Sequence, residues 1–181
     1  MRLLERLAIV LAAFAISVAV IAVLSGGLLA GRDNPGISGP GRQLGAQFRD
    51  LGHAHLAPGA SHPHYDSEPP TSGAHVPLAI ERDGSKINDD QLLQALEAGD
   101  VVIMYGSSRP PAGLGALADT IAAPFTPALA AAGQAVILAR RPGTNGFLGL
   151  AWTHLVHVRS VDDPQLRSFI LYWIGRGAPR S

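Results

Sequence analysis

The hydrophobic pattern of the chain begins with a long apolar block and becomes mixed only after it. Residues 7–30 (LAIVLAAFAISVAVIAVLSGGLLA) carry no charged side chain. As an α-helix this block would be about 36 Å long, which is enough to cross a hydrocarbon core of about 30 Å. A core helix of so small a domain would show a polar stripe, whereas Ser17 and Ser25 are the polar side chains of this block. The pattern therefore predicts a transmembrane helix at 7–30.

The length of this block favours an uncleaved anchor over a cleaved signal peptide. A secretory signal has an apolar region of about 7–15 residues and ends at a small-x-small site, and the best such site here begins with the large Leu28. Arg2 and Arg6 precede the block, and basic residues favour the cytoplasmic side. We therefore predict a single-pass protein of the cell membrane, with residues 1–6 cytoplasmic and the C-terminal domain extracytoplasmic.

Two segments of irregular composition follow the apolar block. Residues 31–45 (GRDNPGISGPGRQLG) are rich in glycine, proline and polar side chains, and they predict a flexible linker. The remaining residues, 46–181, have the length of one domain. Its first part, 46–80, holds five of the seven histidines and shows little periodicity. Long irregular segments of compact domains are usually functional or disordered, so a functional site is expected in this segment.

From residue 88 onward the hydrophobic spacing predicts alternating helices and strands. Asn88 or Asp89 can cap a helix that runs through QLLQALEAG and ends at Gly99. A strand at 101–105 and a helix from 114 to Pro124 follow. The next elements are a strand at 135–139 and a strand at 147–158, which the Asn145-Gly146 turn predicts to be an antiparallel pair. The last element is a helix that begins at Pro164 after a cap at Asp162 or Asp163. This order predicts the α/β class, an α+β sandwich in which helices pack on a small mixed sheet.

Composition removes several classes of function. Residues 7–181 carry 12 basic and 13 acidic side chains and no basic stripe, so nucleic acid is an improbable partner. The chain has no cysteine, which excludes thiol redox chemistry and thiolate metal sites. Gly113-x-Gly115-x-x-Ala118 lacks the strand and acidic residue of a dinucleotide site, and we expect no organic cofactor.

Several short motifs of the outer domain resemble those of one bacterial family. The string Tyr65-Asp66-Ser67-Glu68-Pro69-Pro70-Thr71-Ser72-Gly73-Ala74-His75 is the most specific, and the others are Leu96-Glu97 with Gly99, Ala151-Trp152 and Gly177-Ala178-Pro179. Over residues 50–180 the chain resembles the DUF3105 family, whose members are often membrane-anchored and whose function is unknown. The family has a histidine where this chain has Ala98, which implies that any shared site at that helix end has lost or relocated a ligand.

Histidines carry the main chemical hypothesis. The candidate ligands are His53, His55, His62, His64 and His75. His53 with His55 and His62 with His64 are i, i+2 pairs, which point to one side of an extended segment, and imidazole is a common metal ligand. Without thiolates the candidate ions are copper, zinc or nickel, with copper favoured by affinity order. We predict a copper or zinc site for binding, delivery or sensing, in which the Pro-Pro-Thr-Ser-Gly turn orients His75.

Three alternatives compete with the metal hypothesis. The histidines could simply belong to an exposed polar loop, with structural roles for His154 and His157 as well. Asp66, Ser72 and His75 are the residue types of a hydrolytic triad, but they are sequence neighbours, and the Gly-x-Ser-x-Gly elbow is absent. The third alternative is a non-catalytic interaction module that contacts a membrane-protein partner, with residues 7–30 in the lipid bilayer. We favour the metal site and expect no catalysis.

Overall fold

A five-stranded sheet lies between two layers of helices in residues 44–179, the part of the chain that our computed structural model describes. The strands are β1 (Ala46–Gln47), β2 (Val101–Tyr105), β3 (Val136–Arg140), β4 (Phe147–Ala151) and β5 (His154–Val158). The helices are α1 (Asp89–Ala98), α2 (Leu114–Ala122), α3 (Pro127–Ala131) and α4 (Pro164–Trp173). The sheet order is β1-β5-β4-β2-β3, with β2 and β3 parallel and the other pairs antiparallel. The predicted mixed sheet with helices packed on it is confirmed.

The membrane helix predicted at 7–30 lies outside the described residues. Within residues 44–179, no helix combines the length and the apolar character that a membrane crossing requires.

Each face of the central strand β2 packs against its own helices. Val101, Ile103 and Tyr105 join a buried cluster with side chains of α2 and α4. Val102 and Met104 point to the opposite face and join a second cluster with α1. All five residues of β2 are buried, as expected for an apolar run covered on both faces.

Helix α1 begins and ends where its sequence predicts. The Asn88 side chain accepts a hydrogen bond from the Gln91 amide, and the Gln91 side chain accepts one from the Asn88 amide, so the two form a capping box. Gly99 ends the helix with φ at 115°, a conformation that glycine adopts without strain. Residues of the last turn, Glu97 among them, therefore have a fixed position beside the start of β2.

The predicted hairpin between β3 and β4 is wrong. Both strands pair with β2, one on each side of it, so residues 141–146 carry the chain past the end of β2. There the Arg141 amide donates to the Tyr105 carbonyl at 2.8 Å. The Asn145-Gly146 signal marks a local turn with φ of 76° at Gly146, but such a signal does not determine which strands pair.

The single strand predicted at 147–158 is in fact two strands. The chain reverses at Trp152 and Thr153, and β4 and β5 pair antiparallel on either side of that turn. Thr153 has φ of 59°, which is uncommon for a residue that is not glycine. Two tertiary hydrogen bonds stabilise this backbone conformation. The Thr153 amide donates to the Thr71 carbonyl, and the Thr153 carbonyl accepts from the Phe48 amide. The sequence has no glycine, proline or asparagine at this turn, so local reasoning missed it.

Candidate metal centre

The segment that ends at His75 is tied to the rest of the domain by the polar side chains of its turn. Thr71 and Ser72 are fully buried. The Ser72 hydroxyl donates to the Arg49 carbonyl at 3.0 Å and accepts from the Leu51 amide at 3.1 Å. These bonds join the turn to the chain segment before His53, and they give the turn one orientation.

Main-chain hydrogen bonds then bring His55 and His75 side by side. The two residues form an isolated parallel bridge. The His75 amide donates to the Ala54 carbonyl at 3.1 Å, and the Leu56 amide donates to the His75 carbonyl at 2.8 Å. Two histidines separated by 20 positions in the sequence therefore lie with their rings 5.4 Å apart.

Three imidazoles surround the carboxylate of Glu97 in the last turn of α1. His55 Nε2 donates a hydrogen bond to Glu97 Oε2 at 3.0 Å. His75 Nε2 lies 3.2 Å from the same oxygen. His53 Nδ1 lies 3.4 Å from Glu97 Oε1. The exposed fraction of the side chain is 0% for His75, 18% for Glu97, 34% for His53 and 48% for His55. His75 is therefore the buried end of the group, and His53 and His55 form its solvent-exposed rim.

One ring nitrogen of His75, Nε2, is buried and faces Glu97 without a hydrogen bond. His75 Nδ1 donates to the Gly73 carbonyl at 3.0 Å, and because a carbonyl only accepts, Nδ1 carries the proton. In the neutral ring, Nε2 is then an acceptor. Nε2 is buried and makes no hydrogen bond within the described part of the chain, although Glu97 Oε2 lies near it. A neutral ring would place this lone pair beside a carboxylate oxygen, an unfavourable contact that either a proton on Nε2 or a metal ion between the two atoms relieves.

The spacing of these donors fits one metal ion. His55, His75 and Glu97 each offer one ligand atom, and the three atoms lie within 4.8 Å of one another. Two ligand atoms of a tetrahedral zinc ion, each about 2.1 Å from the metal, are about 3.4 Å apart. The distances from Glu97 Oε2 to the Nε2 atoms of His55 and His75, 3.0 Å and 3.2 Å, are close to that value. Two imidazoles and one carboxylate are also the ligand set of one class of open zinc site.

His53 occupies the rim beside the three donors. Its ring meets the Trp152 ring edge-on, with 6.3 Å between the centroids. The Trp152 indole nitrogen donates to Asp50 Oδ2 at 3.3 Å. His53 thus lies near the second oxygen of Glu97, where it would be available as a further ligand if an ion were bound.

His62 belongs to a separate polar group at the first turn of α1. Its Nε2 lies 2.7 Å from Asp90 Oδ1, which also accepts the Val76 amide at 2.7 Å. Burial opposes ionisation of Asp90, but the bonds from Val76 and His62 outweigh it, and the pKa of this carboxyl lies below its usual range. Seven residues, about 10 Å of helix, separate Asp90 from Glu97, so the structure places His62 apart from the Glu97 group.

The remaining predicted residues lie elsewhere. His64 is exposed and is not part of the Glu97 group. His154 stacks on Trp173 with 3.8 Å between centroids, and burial lowers its pKa. Asp66 accepts the Arg49 amide, whereas the Ser72 hydroxyl bonds to main-chain groups. The hydrolytic triad considered above is therefore not joined by hydrogen bonds in this structure.

The segment before His75 also holds Tyr65 in a fixed position. The Tyr65 hydroxyl donates to the Ala74 carbonyl at 2.9 Å, and its ring lies against Gly73, whose φ is 130°. Burial, with the charges of Asp90 and Asp89, raises the pKa of Tyr65 to about 12. The phenol therefore remains a donor at neutral pH and supports the residue next to His75.

Most of the folded domain matches one protein-family model. The model of a family described as a protein of unknown function, DUF3105, matches residues 59–179. The chain belongs to the DUF3105 family. No curated protein and no solved structure matches it. The DUF3105 match includes His75 and Glu97, whereas His53 and His55 precede it.

The family difference at Ala98 leaves the Glu97 group intact. Ala98 is the last residue of α1 and is exposed. The donors around Glu97 come from residues 53, 55 and 75, so their arrangement does not depend on position 98. Glu97 itself was not among the predicted ligands, because it lies 42 positions after His55 and only the fold brings the two together. Its place in the family motif Leu96-Glu97 was the signal that could have identified it.

Proposed function

We propose that this domain binds one divalent transition-metal ion through His55, His75 and Glu97, with His53 beside the ion. The observation that carries the proposal is the buried Nε2 of His75, which has no hydrogen bond and lies 3.2 Å from Glu97 Oε2. A metal ion between the two atoms would turn an unfavourable contact into two coordinate bonds.

The donor set narrows the choice of ion. Imidazole nitrogen with carboxylate oxygen suits Zn²⁺ and Cu²⁺, and the affinity order of divalent ions favours copper. In either case Gly73 would serve as the outer partner that fixes the His75 ring, since its carbonyl accepts from Nδ1. Exposed ligands at the rim would let the ion enter and leave, which suits binding, delivery or sensing of the metal.

The cellular setting is part of the same proposal. Residues 7–30 would anchor the chain in the cell membrane, with the domain on the extracytoplasmic side. A site of nitrogen and oxygen ligands keeps its affinity in an oxidising compartment, where free thiols would not persist. Two measurements test this placement. The full chain should resist extraction from membranes by carbonate, and protease added to intact spheroplasts should digest residues 44–179. Release by carbonate would contradict the anchor.

Metal titration of the full-length chain in detergent micelles tests the centre itself. We expect one-to-one binding of Zn²⁺ or Cu²⁺ with a dissociation constant below about 1 µM, equivalent to about −8 kcal/mol. Glu97→Gln keeps the side-chain volume but replaces a charged ligand with a neutral amide. It should weaken binding by about 100-fold or more, because loss of a mere outer-shell partner already costs about 10–100-fold.

His64→Ala is the matched control, because it also removes a histidine from the same loop but leaves the Glu97 group complete. We expect its affinity to equal that of the wild type. His55→Ala should behave like Glu97→Gln, and both variants should retain the wild-type circular dichroism. Absence of binding by the wild type, or equal losses in Glu97→Gln and His64→Ala, would refute the site.

A further inference from the structure

A second candidate site lies at the other end of β2, where basic side chains line a cleft. The cleft has a volume of about 330 Å³ and is lined by Lys86, Ile87, Met104, Arg140, Arg141 and Pro142. Glu97 precedes the first residue of β2, whereas Met104 lies near its last residue. The ends of a five-residue strand are about 13 Å apart, so this cleft is distinct from the Glu97 group.

The cleft occupies the carboxyl edge of the parallel pair β2 and β3. Tyr105 and Arg140 are the last residues of these strands and are paired in register. In open α/β sheets, ligands bind outside the carboxyl ends of the parallel strands. The position of the cleft is therefore one that small-molecule sites commonly occupy.

Main-chain bonds place the cations around the cleft. The Arg140 amide donates to the Ser85 carbonyl at 2.9 Å, which brings the neighbouring Lys86 beside Arg140. Arg140 Nε donates to the Ser107 carbonyl at 3.2 Å, and this bond orients the guanidinium, whose two terminal nitrogens make no hydrogen bond to the described residues. Three of the nine basic residues at positions 44–179 thus line one cleft.

Two of the three cations have no acidic partner among residues 44–179. Arg141 is paired with Glu68 and lies 3.9 Å from Asp89. Within residues 44–179, no carboxylate lies at ion-pair distance from Lys86 or Arg140. A guanidinium fork beside an ammonium group is the arrangement that recognises phosphate oxygens.

We propose that Lys86 and Arg140 bind a phosphate-type oxyanion in this cleft. The cleft volume admits a phosphate group with a small substituent. Either a free phosphate compound or the headgroup of an anionic lipid could supply this chemistry, and the second source is available to a membrane-anchored chain. This proposal does not depend on metal binding at Glu97.

Lys86 provides a direct assay, because it is the only lysine of the chain. The rate at which an amine-reactive ester acylates Lys86 is measured by mass spectrometry, with the N-terminal amine as internal reference. With the full chain in neutral detergent, about 10 mM inorganic phosphate should slow the acylation of Lys86 about fivefold, corresponding to about 80% occupancy. Sodium chloride at the same ionic strength should leave the rate nearly unchanged.

Variants test whether the cleft is responsible for protection. Arg140→Ala should abolish the protection by phosphate, whereas Arg167→Ala removes an exposed arginine of α4 and should preserve it. Nanodiscs with and without phosphatidic acid distinguish the two sources of the anion. If phosphatidic acid protects Lys86 from acylation and Arg140→Ala removes that protection, the ligand is a lipid headgroup. If only added phosphate protects Lys86, the ligand is a free compound. The proposal is overturned if neither anion protects Lys86, or if Arg167→Ala loses protection as Arg140→Ala does.

Discussion

Asp100 connects α1 to β2 and has a carboxyl group that the fold keeps away from water. The residue is 1% exposed. Its Oδ1 accepts the Ala135 amide at 2.8 Å, and its Oδ2 is buried without a hydrogen bond from the described residues. Burial raises the pKa of Asp100 to about 8, although the bond from Ala135 opposes the shift.

The sign of the pH effect follows from this shift. Because the pKa of Asp100 is higher in the folded chain than in the unfolded chain, its contribution to stability is complete below pH 4. It is lost as the pH rises toward 8, since the folded chain holds a proton that the unfolded chain has released. The free energy of unfolding should therefore fall by about 1.4 kcal/mol for each pH unit in this window because of Asp100 alone.

Asp100→Asn isolates this contribution. The amide oxygen can still accept the Ala135 hydrogen bond, and the side chain no longer ionises. We expect the variant to be more stable than the wild type at pH 8 by at least about 2 kcal/mol, after a cost of about 1–3 kcal/mol for the buried amide hydrogens. Near pH 4 that cost should make the variant the less stable protein.

Urea denaturation of the full chain from pH 4.5 to 8.5, with EDTA present, measures the difference. Asp162→Asn is the matched control, because Asp162 is exposed and should give the wild-type pH profile. Parallel profiles of Asp100→Asn and the wild type across this range would refute the reasoning, since they would mean that Asp100 ionises in the folded chain as it does in water.

Two further predictions concern the supports of α1. Asp90→Ala removes the acceptor of the Val76 amide and should lower the free energy of unfolding by about 1–3 kcal/mol, measured by urea denaturation; an unchanged midpoint would contradict this. Gly177→Ala places a Cβ against the Glu97 carbonyl oxygen, so it should lower Tm and weaken metal binding. At Gly115 an added Cβ meets nothing within 4 Å, so Gly115→Ala should keep metal binding unchanged and should not lower Tm, since alanine favours a helix more than glycine does. A Gly177→Ala variant that behaves like Gly115→Ala would refute the argument.

The elements of the fold were predictable wherever local signals determine them. The Asn88 cap and Gly99 stop define α1 through main-chain hydrogen bonds within a few residues. By contrast, the pairing of β4 with β2 depends on side-chain packing between distant segments, and an Asn-Gly turn carries no information on it. The short helix α3 was not predicted, since its five residues PALAA provide too little periodicity to recognise.

The candidate site was predictable only in part, for the same reason. The i, i+2 spacing pairs His53 with His55, and both lie at Glu97 in the structure. The equally spaced His62 meets Asp90 at the other end of α1. Spacing shows which side chains can share a direction, but the identity of the carboxylate they face depends on where a helix packs.

The contacts of His75 show which of its bonds require a histidine side chain and which any residue could make. Its bonds to Ala54 and Leu56 use main-chain atoms, so any residue other than proline could make them. A leucine at this position could fill a buried space without introducing polar atoms, whereas the imidazole leaves a buried nitrogen unpaired, at a cost of about 1–3 kcal/mol. The hydrogen bond from Nδ1 to the Gly73 carbonyl at 3.0 Å accounts for one ring nitrogen, but packing gives no reason for the second. A ligand role does give one, because the unpaired nitrogen faces Glu97 and lies beside His55.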